Sequence, residues 1–329
     1  MDKPRKEAQV LYPGEMPTRF SFIDLFAGIG GMRIPFNELG GQCVMTSEID
    51  KHALDTYRTN FQDYEHFFAG DITQVPTEDI PNHDILLGGF PCQPFSHAGH
   101  KKGFEDTRGT LFFDIARILE AKRPRAFLLE NVRGLMWHDS GNTFKRILEI
   151  ANQFYHVSHK VLDAKDFGLP QTRKRVYLVG LDKEVFSKPF DFDLLASPVT
   201  ALKVGDILES DAEESLTLSD RLWEGHKTRK KKHLELGNGF GYRMVNASSL
   251  YTPTLSARYF KDGSEILVEQ IGKNPRKLTP REGARLQGFP ESFILNESKM
   301  QAFRQLGNAV PISVVRAIAE KLVPEVLAD

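Results

Sequence analysis

Cysteine is scarce in this 329-residue chain, which has two, Cys43 and Cys92. Two thiols cannot build a disulfide framework or a thiolate metal site, so no metal is expected. In a reducing compartment each is either a small buried hydrophobe or a reactive thiol. Long apolar runs are missing too. None approaches the roughly 20 residues that span a bilayer, and the N-terminal stretch lacks a signal-peptide core, so no membrane association and a cytoplasmic location are expected. Excess charge of either sign is also absent. The formal net charge of −1 does not by itself announce a nucleic-acid ligand. No internal repeat or low-complexity tract interrupts the chain. What remains is a globular composition, 40% hydrophobic and 26% charged, long enough for one large domain or two unequal ones.

Charge is unevenly distributed. Residues 206–214 are acid-rich, whereas His226-Lys-Thr-Arg-Lys-Lys-Lys-His233 is basic. Such a run is either a solvated helix face or a phosphate-contacting surface, with Lys230 and Lys231 as candidate contacts. Residues 1–18 are polar and proline-punctuated, and read as a tail. From Phe20 short apolar runs (Phe20–Leu25, Cys43–Ser47, Asp84–Gly88, Ala126–Glu130, Arg175–Gly180) alternate with helical patterns such as Leu111-Phe112-Ile115-Ile118-Leu119. That alternation predicts an α/β fold with a mostly parallel central sheet covered on both faces. The rhythm breaks after residue 182. The expected organisation is a first domain over 19–182, a smaller irregular domain over 183–275, a connecting hinge over 276–303, and a C-terminal segment, 304–329, whose helix packs back onto the first domain. Pro280 suits the first turn of a helix in 280–287.

The first strand runs directly into Asp24-Leu-Phe-Ala-Gly-Ile-Gly-Gly31, where glycines let a ligand approach the backbone. Alone this turn is weak, because glycine-rich turns serve many ligands. Glu48 ends the second strand, where a carboxylate can accept from a ribose diol. Asp71, in Gly70-Asp-Ile-Thr73 after a third strand, can accept from an adenine amino group. Three polar strand ends in succession predict an adenosine-type cofactor without saying which one.

Phe90-Pro-Cys-Gln-Pro-Phe-Ser96 follows the fourth strand and so lies on a loop at the ligand edge of the sheet. Cys43, inside a strand, is expected to be buried. Cys92, between prolines, is expected to be reactive. Glu130 ends the fifth strand, which a neighbouring strand can bring beside Cys92. In Gln171-Thr-Arg-Lys-Arg175, strand alternation predicts that Arg173 and Arg175 face one way and Lys174 the other.

Together Phe26-Ala-Gly, Pro91-Cys-Gln, Glu130-Asn-Val, Gln171-x-Arg-x-Arg175, Arg276-x-Leu-Thr-Pro-Arg-Glu282 and Gly307-Asn-Ala-Val310 resemble, in order, the motifs of the bacterial DNA (cytosine-5) methyltransferases of restriction–modification systems. The resemblance covers Phe20–Gly180 and Arg276 to about Val315. It implies an S-adenosylmethionine-dependent, Rossmann-like methyltransferase fold with a target-recognition domain over 183–275. It also implies double-stranded DNA as partner and a cognate restriction endonuclease acting independently of a monomeric enzyme.

The resemblance assigns S-adenosylmethionine to Phe26, Ala27, Gly28, Ile29, Gly30, Gly31, Glu48, Ile49, Asp71, Ile72, Pro91, Asn308 and Ala309. Ile49 departs from the aromatic residue common at its position, which weakens stacking, and Gly283 stands where a cysteine is common. Cys92 is assigned as nucleophile to cytosine carbon 6, and Glu130 to the base N3 and amine. Arg175 is assigned to the base O2, and Arg173 to the thiolate loop and a phosphate. Asn131 is expected to order the Cys92 loop. A carboxyl in the Glu130 role needs a pKa raised by burial against the base. Gln93, Ser96, Lys101, Arg108, Asn131, Lys230, Lys231 and Arg258 are the candidate DNA contacts, and the stretch Phe95–Gly109 is long enough to close over a flipped base. The recognition segment is similar to those of enzymes acting on CCWGG, CCNGG or CCGG. The alternatives weighed are a tRNA cytosine-5 methyltransferase, a non-catalytic DNA-binding regulator, and a nicotinamide oxidoreductase of shared fold.

Overall fold

The computed structural model describes residues 18–61, 66–91, 111–196, 200–239, 241–261 and 263–328. Cys92, Gln93, Ser96, Lys101, Arg108 and the stretch 95–109 lie outside them. The described chain forms two compact units, one of residues 18–162, 174–196 and 314–328, the other of 163–173 and 200–313.

The first unit is built on a seven-stranded sheet. In chain order its elements are β1 (Phe20–Leu25), α1 (Arg33–Glu38), β2 (Gly41–Ser47), α2 (Lys51–Asn60), β3 (Phe67–Ala69), β4 (Ile85–Gly89), α3 (Leu111–Lys122), β5 (Ala126–Val132), α4 (Asn142–Ala151), β6 (Tyr155–Asp163) and β7 (Lys174–Asp182). The strand order is β3-β2-β1-β4-β5-β7-β6. Strands β1 to β5 pair in parallel, and β7 pairs antiparallel with β5. Residues 20–25, 85–88 and 126–131 are buried almost without a break, so both faces of the central strands are covered. That is why these strands read as continuous apolar runs rather than alternating ones. Strand β6 does not: His156, Ser158, His159 and Lys160 break up the outermost strand, and no apolar run announces it.

The second unit holds α5 (Val204–Ile207), α6 (Asp220–Glu235), the two-residue strands β8 (Met244–Val245) and β9 (Leu267–Val268), α7 (Pro280–Gln287) and α8 (Lys299–Asn308). Tyr259 organises its core. The phenol accepts from the Leu278 amide, donates to the Ile266 carbonyl, both at 2.8 Å, and packs on Phe303. Helix α7 begins as its sequence predicts, with Thr279 and Glu282 forming a reciprocal capping box, Pro280 in the first turn and Gly288 left-handed at the far end. The last helix, α9 (Ile312–Leu327), belongs with the sheet unit from Val314 onward, where Arg316 pairs with Glu38.

The boundaries of the units differ from the expected ones. Residues 163–173 group with the second unit and 183–196 with the first, while the expected hinge, 276–303, lies inside the second unit. Buried bonds explain this: Gln171 bonds to Leu255 and Leu286, and Glu282 is fully buried against Arg276. Among the described residues no helix is long and apolar enough to cross a membrane.

Candidate active site

Parallel pairing brings the carboxyl ends of β1 to β5 to one edge of the sheet, and there the chain turns into its loops. After β1, Phe26 (φ 55°), Gly28 (φ 57°) and Gly30 (φ 84°) are left-handed. The turn is pinned to β2: the Ala27 amide donates to the Ser47 carbonyl at 3.1 Å and the Gly28 amide to Glu48 Oε2 at 2.7 Å. The two glycines differ in what surrounds them. A β-carbon on Gly30 would lie 2.3 Å from the Phe61 ring, whereas one on Gly28 would meet nothing within 4 Å. Gly30 is there for packing; Gly28 leaves the backbone open to a ligand. Ile29, Gly30 and Gly31 are buried, and Phe26, Ala27 and Gly28 are half-buried.

Beneath the turn lies a buried polar group that no sequence motif marks. Arg33 donates to the Tyr57 hydroxyl at 3.1 Å and stacks 4.3 Å above Phe61. The same hydroxyl bonds Thr46 Oγ1 at 2.8 Å and approaches Asp24 Oδ2 at 3.5 Å. Burial lifts the Asp24 carboxyl to about 7, with Arg33 opposing and Glu48 adding to the rise. Cys43 is buried in the same group and its thiol is pushed up to about 11, so it is inert, as its strand position predicts. No sequence signal marks Tyr57 or Phe61 beyond helical spacing.

Glu48 bridges two backbones, since its Oε1 accepts from the Asp50 amide at 2.7 Å while Oε2 holds Gly28. Asp50 in turn caps α2. Ile49 is 77% exposed, an aliphatic face presented beside that carboxylate. Asp71 is exposed and caps the turn that Ile72, 1% exposed, begins. Its Oδ1 accepts from Thr73 while Oδ2 makes no described bond. Pro91 is exposed at the end of the described run after β4. An open glycine, a strand-end carboxylate, an exposed apolar face and a second carboxylate along one edge fit an adenosine-bearing cofactor.

Strand β5 delivers the acid. Glu130 lies between Gly89 of β4 and Tyr177 of β7, and Arg175 Nε reaches its Oε1 at 3.1 Å, with both side chains largely buried. Asn131 is 2% exposed; its amide donates to the Phe90 carbonyl at 2.7 Å and its oxygen accepts from the Val132 amide. It ties β5 to the residue two before Cys92. Its side chain is closed to DNA, which corrects its place among the DNA contacts.

Arg173 requires a second correction. Strand β7 starts at Lys174, so alternation does not extend back to residue 173. The Arg173 guanidinium, 1% exposed, donates to the carbonyls of Leu255 (2.9 Å), Gly307 (2.8 Å) and Ala309 (2.7 Å) in its own unit. A side chain so enclosed holds backbone together and does not reach a phosphate. Gly307 is required there, because a β-carbon would fall 2.2 Å from the Ala257 nitrogen. Asn308 is exposed at the end of α8 and Ala309 is half-buried; both belong to the second unit, not to that of the glycine turn.

In the same unit Lys231 is exposed on α6. Lys230 donates to the Tyr242 carbonyl at 3.1 Å and lies 4.2 Å over that ring. Arg258 is exposed, and no described carboxylate pairs with it.

The sheet order and the nucleotide-type edge define a protein of the doubly wound α/β class. The sequence profile of C-5 cytosine-specific DNA methylases matches residues 20–324. The chain is 57% identical to Type II methyltransferase M.DsaV of Dactylococcopsis salina, over 92% of this chain and 86% of that protein. It is 54% identical to Type II methyltransferase M1.ScrFI of Lactococcus lactis subsp. cremoris, over 92% and 78%. Its fold is similar to that of S. pombe Dnmt2 methyltransferase, with a TM-score of 0.73 at 21% identity over 93% of this chain and 99% of that one. The chain belongs to the C-5 cytosine-specific DNA methylase family. It is a DNA cytosine-5 methyltransferase whose methyl donor is S-adenosylmethionine. Relatives above half identity are type II methyltransferases, which favours neither the tRNA-modifying nor the non-catalytic alternative.

Proposed function

We propose that this enzyme methylates the inner cytosine of a short duplex site of the CCWGG, CCNGG or CCGG type, through a covalent bond from Cys92 to cytosine carbon 6. The observation that carries the chemistry is the enclosed Glu130–Arg175 pair at the carboxyl edge of the sheet. Support for the site class is the likeness of residues 237–263 to the recognition segments of such enzymes.

The target cytosine leaves the stack, at a cost of a few kcal/mol, because its ring edge is unreachable within the duplex. The Cys92 thiolate adds to carbon 6, and the electron pair displaced from the 5,6 double bond makes carbon 5 nucleophilic. Phe26–Gly31, Glu48, Ile49, Asp71, Ile72 and Pro91 would hold S-adenosylmethionine, which would supply an electrophilic methyl group to carbon 5. Loss of the carbon-5 proton to a base and departure of the thiolate restore the aromatic ring. Glu130 donates to N3 as charge builds in the ring, and Arg175 holds O2. Asn131 and Arg173 are positioning residues, the first for the Phe90 carbonyl, the second for the backbone at Leu255, Gly307 and Ala309.

Gln93, Ser96, Lys101 and Arg108 contact the DNA, and Lys231 with Lys230 tracks phosphates. Arg258 reads a guanine edge. The enzyme acts as a monomer, since one flipped base needs one active site, in the cytoplasm beside an independent restriction endonuclease.

Bisulfite sequencing of DNA from cells expressing the chain reads activity and target together. Protection of the inner cytosine in one of the three site classes is expected; methylation in an unrelated context rejects the site assignment. Cys92→Ala should abolish transfer while retaining cofactor binding, and comparable methylation by that variant rejects the covalent route.

A further inference from the structure

We infer that Arg133 and Trp137, on the segment that follows β5, form a DNA-backbone contact beside the target nucleotide. After Glu130-Asn131-Val132 the chain enters a short 3₁₀ segment, Arg133–Gly141. Three residues of extended chain span at most roughly 11 Å, so Arg133 cannot be farther than that from Glu130 along the backbone. Leu135, 1% exposed, anchors the segment in the core of the sheet unit, and Met136 packs against the same core. Trp137 does not follow them inward. It is 59% exposed, and Val132 just before the segment is 43% exposed. Leaving an indole that open forgoes burial worth on the order of 2 kcal/mol, which favours a partner that covers it.

The Arg133 guanidinium lies 5.1 Å from the Trp137 ring centroid. It is exposed, and no described carboxylate pairs with it. Asp139 is the one acid on the segment, and its Oδ2 lies 3.5 Å from the Asn142 amide. The segment ends in three consecutive left-handed residues, Asp139 (φ 50°), Ser140 (φ 55°) and Gly141 (φ 88°). Two of these are not glycine and carry a conformational cost of about 1–3 kcal/mol each. The bond between His138 Nδ1 and Thr143 Oγ1, 2.7 Å, spans the turn and holds that shape. An uncovered aromatic and a cation stacked on it, on a segment whose shape a strained turn holds, fit a polyanion with an apolar sugar face. DNA offers both: the phosphate takes the guanidinium and the deoxyribose takes the indole.

The chain has two tryptophans, Trp137 and Trp223, and Trp223 packs on Tyr242 at 4.6 Å. In a Trp223→Phe background the emission therefore reports Trp137 alone. Titration with a duplex carrying the target site, in the presence of S-adenosylhomocysteine, should change Trp137 emission and protect it from acrylamide. The change should saturate at the same DNA concentration as fluorescence anisotropy of the labelled duplex. Arg133→Ala should weaken duplex binding about five- to tenfold and reduce the salt slope by about one. Trp137→Ala should weaken it severalfold, with S-adenosylhomocysteine affinity and the circular dichroism spectrum of both variants unchanged. Trp137 emission and acrylamide access indifferent to saturating duplex, or an Arg133→Ala salt slope equal to that of the parent, overturns the assignment and leaves this face to a protein partner.

Discussion

Arg175 Nε stands 3.1 Å from Glu130 Oε1, although the residue directly opposite Glu130 across the β5–β7 ladder is Tyr177. The two are therefore diagonal neighbours, two residues apart on one face of an antiparallel pair, within reach of a long side chain. The antiparallel direction of β7 is what brings its first residues beside the last residues of β5. The Glu130–Arg175 ion pair is thus a property of sheet topology, not of any loop.

Because the pair acts as a unit, we predict strong non-additivity. Glu130→Gln should lower kcat by at least about 10², the scale of a lost general acid. Arg175→Met should do comparable damage, and the double variant should be little worse than either alone. Single-turnover methylation of a duplex with saturating cofactor measures all three. Losses that multiply in the double variant would mean that the two side chains contribute independently.

The two left-handed glycines of the cofactor turn should respond differently to alanine. At Gly30 the methyl group meets the Phe61 ring at 2.3 Å, so Gly30→Ala should cost both stability and cofactor affinity. At Gly28 nothing lies within 4 Å and only the positive φ opposes the change, about 1 kcal/mol. Gly28→Ala should therefore remain folded yet bind S-adenosylhomocysteine more weakly. Calorimetric titration with thermal denaturation separates the cases, and equal melting temperatures for the two variants would contradict the geometry.

The extent to which the sequence foretold this arrangement depends on burial. Strands β4 and β5 were legible because both faces are covered, which leaves continuous apolar runs at Ile85–Leu87 and Ala126–Leu129. Strand β6, outermost and broken by His156 and Lys160, was not. Glu48 was legible from its strand end, but its bonds to the Gly28 and Asp50 amides depend on how the turn folds back. Side-chain alternation carried back from the strand beginning near Arg175 places Arg173 on the Arg175 face, as a phosphate ligand. Residue 173 instead lies outside β7, and carbonyls 82 to 136 residues away in sequence make it a buried clamp. Polar residues in buried clusters are hard to read because their partners come from distant sequence, as Tyr57 and Asp24 do.

The buried pair of Arg276 and Glu282 should prove essential to the second unit. Glu282 is fully buried and accepts from Arg276 Nη1 and Nη2, the Thr279 amide and the Glu209 amide, all between 2.7 and 2.9 Å. Arg276→Met leaves the carboxylate buried without its counter-charge, at a cost of about 3–5 kcal/mol. Adding Glu282→Gln should restore part of that loss. Urea denaturation followed by circular dichroism tests both, and an Arg276→Met variant as stable as the parent would show that the pair is not a structural requirement.

Asp24 should give the enzyme a pH-dependent stability. Burial raises its carboxyl from 3.8 to about 7, Arg33 pulling against the rise and Glu48 adding to it. The folded chain holds a proton there that the unfolded chain releases, so the stabilisation is fully present below about 3.8 and is lost as pH rises through about 7. The contribution at stake is at most about 4 kcal/mol, at 1.36 kcal/mol per pKa unit. Asp24→Asn keeps the shape and removes the titration. Its melting temperature should therefore gain on that of the parent between about pH 4 and pH 7 and hold a constant lead above that range. The comparison isolates Asp24 because His66, joined to the group through Thr46, is present in both proteins. A difference in melting temperature that stays flat across the window would mean that Asp24 is ionised beneath the glycine turn, with Arg33 as its counter-charge.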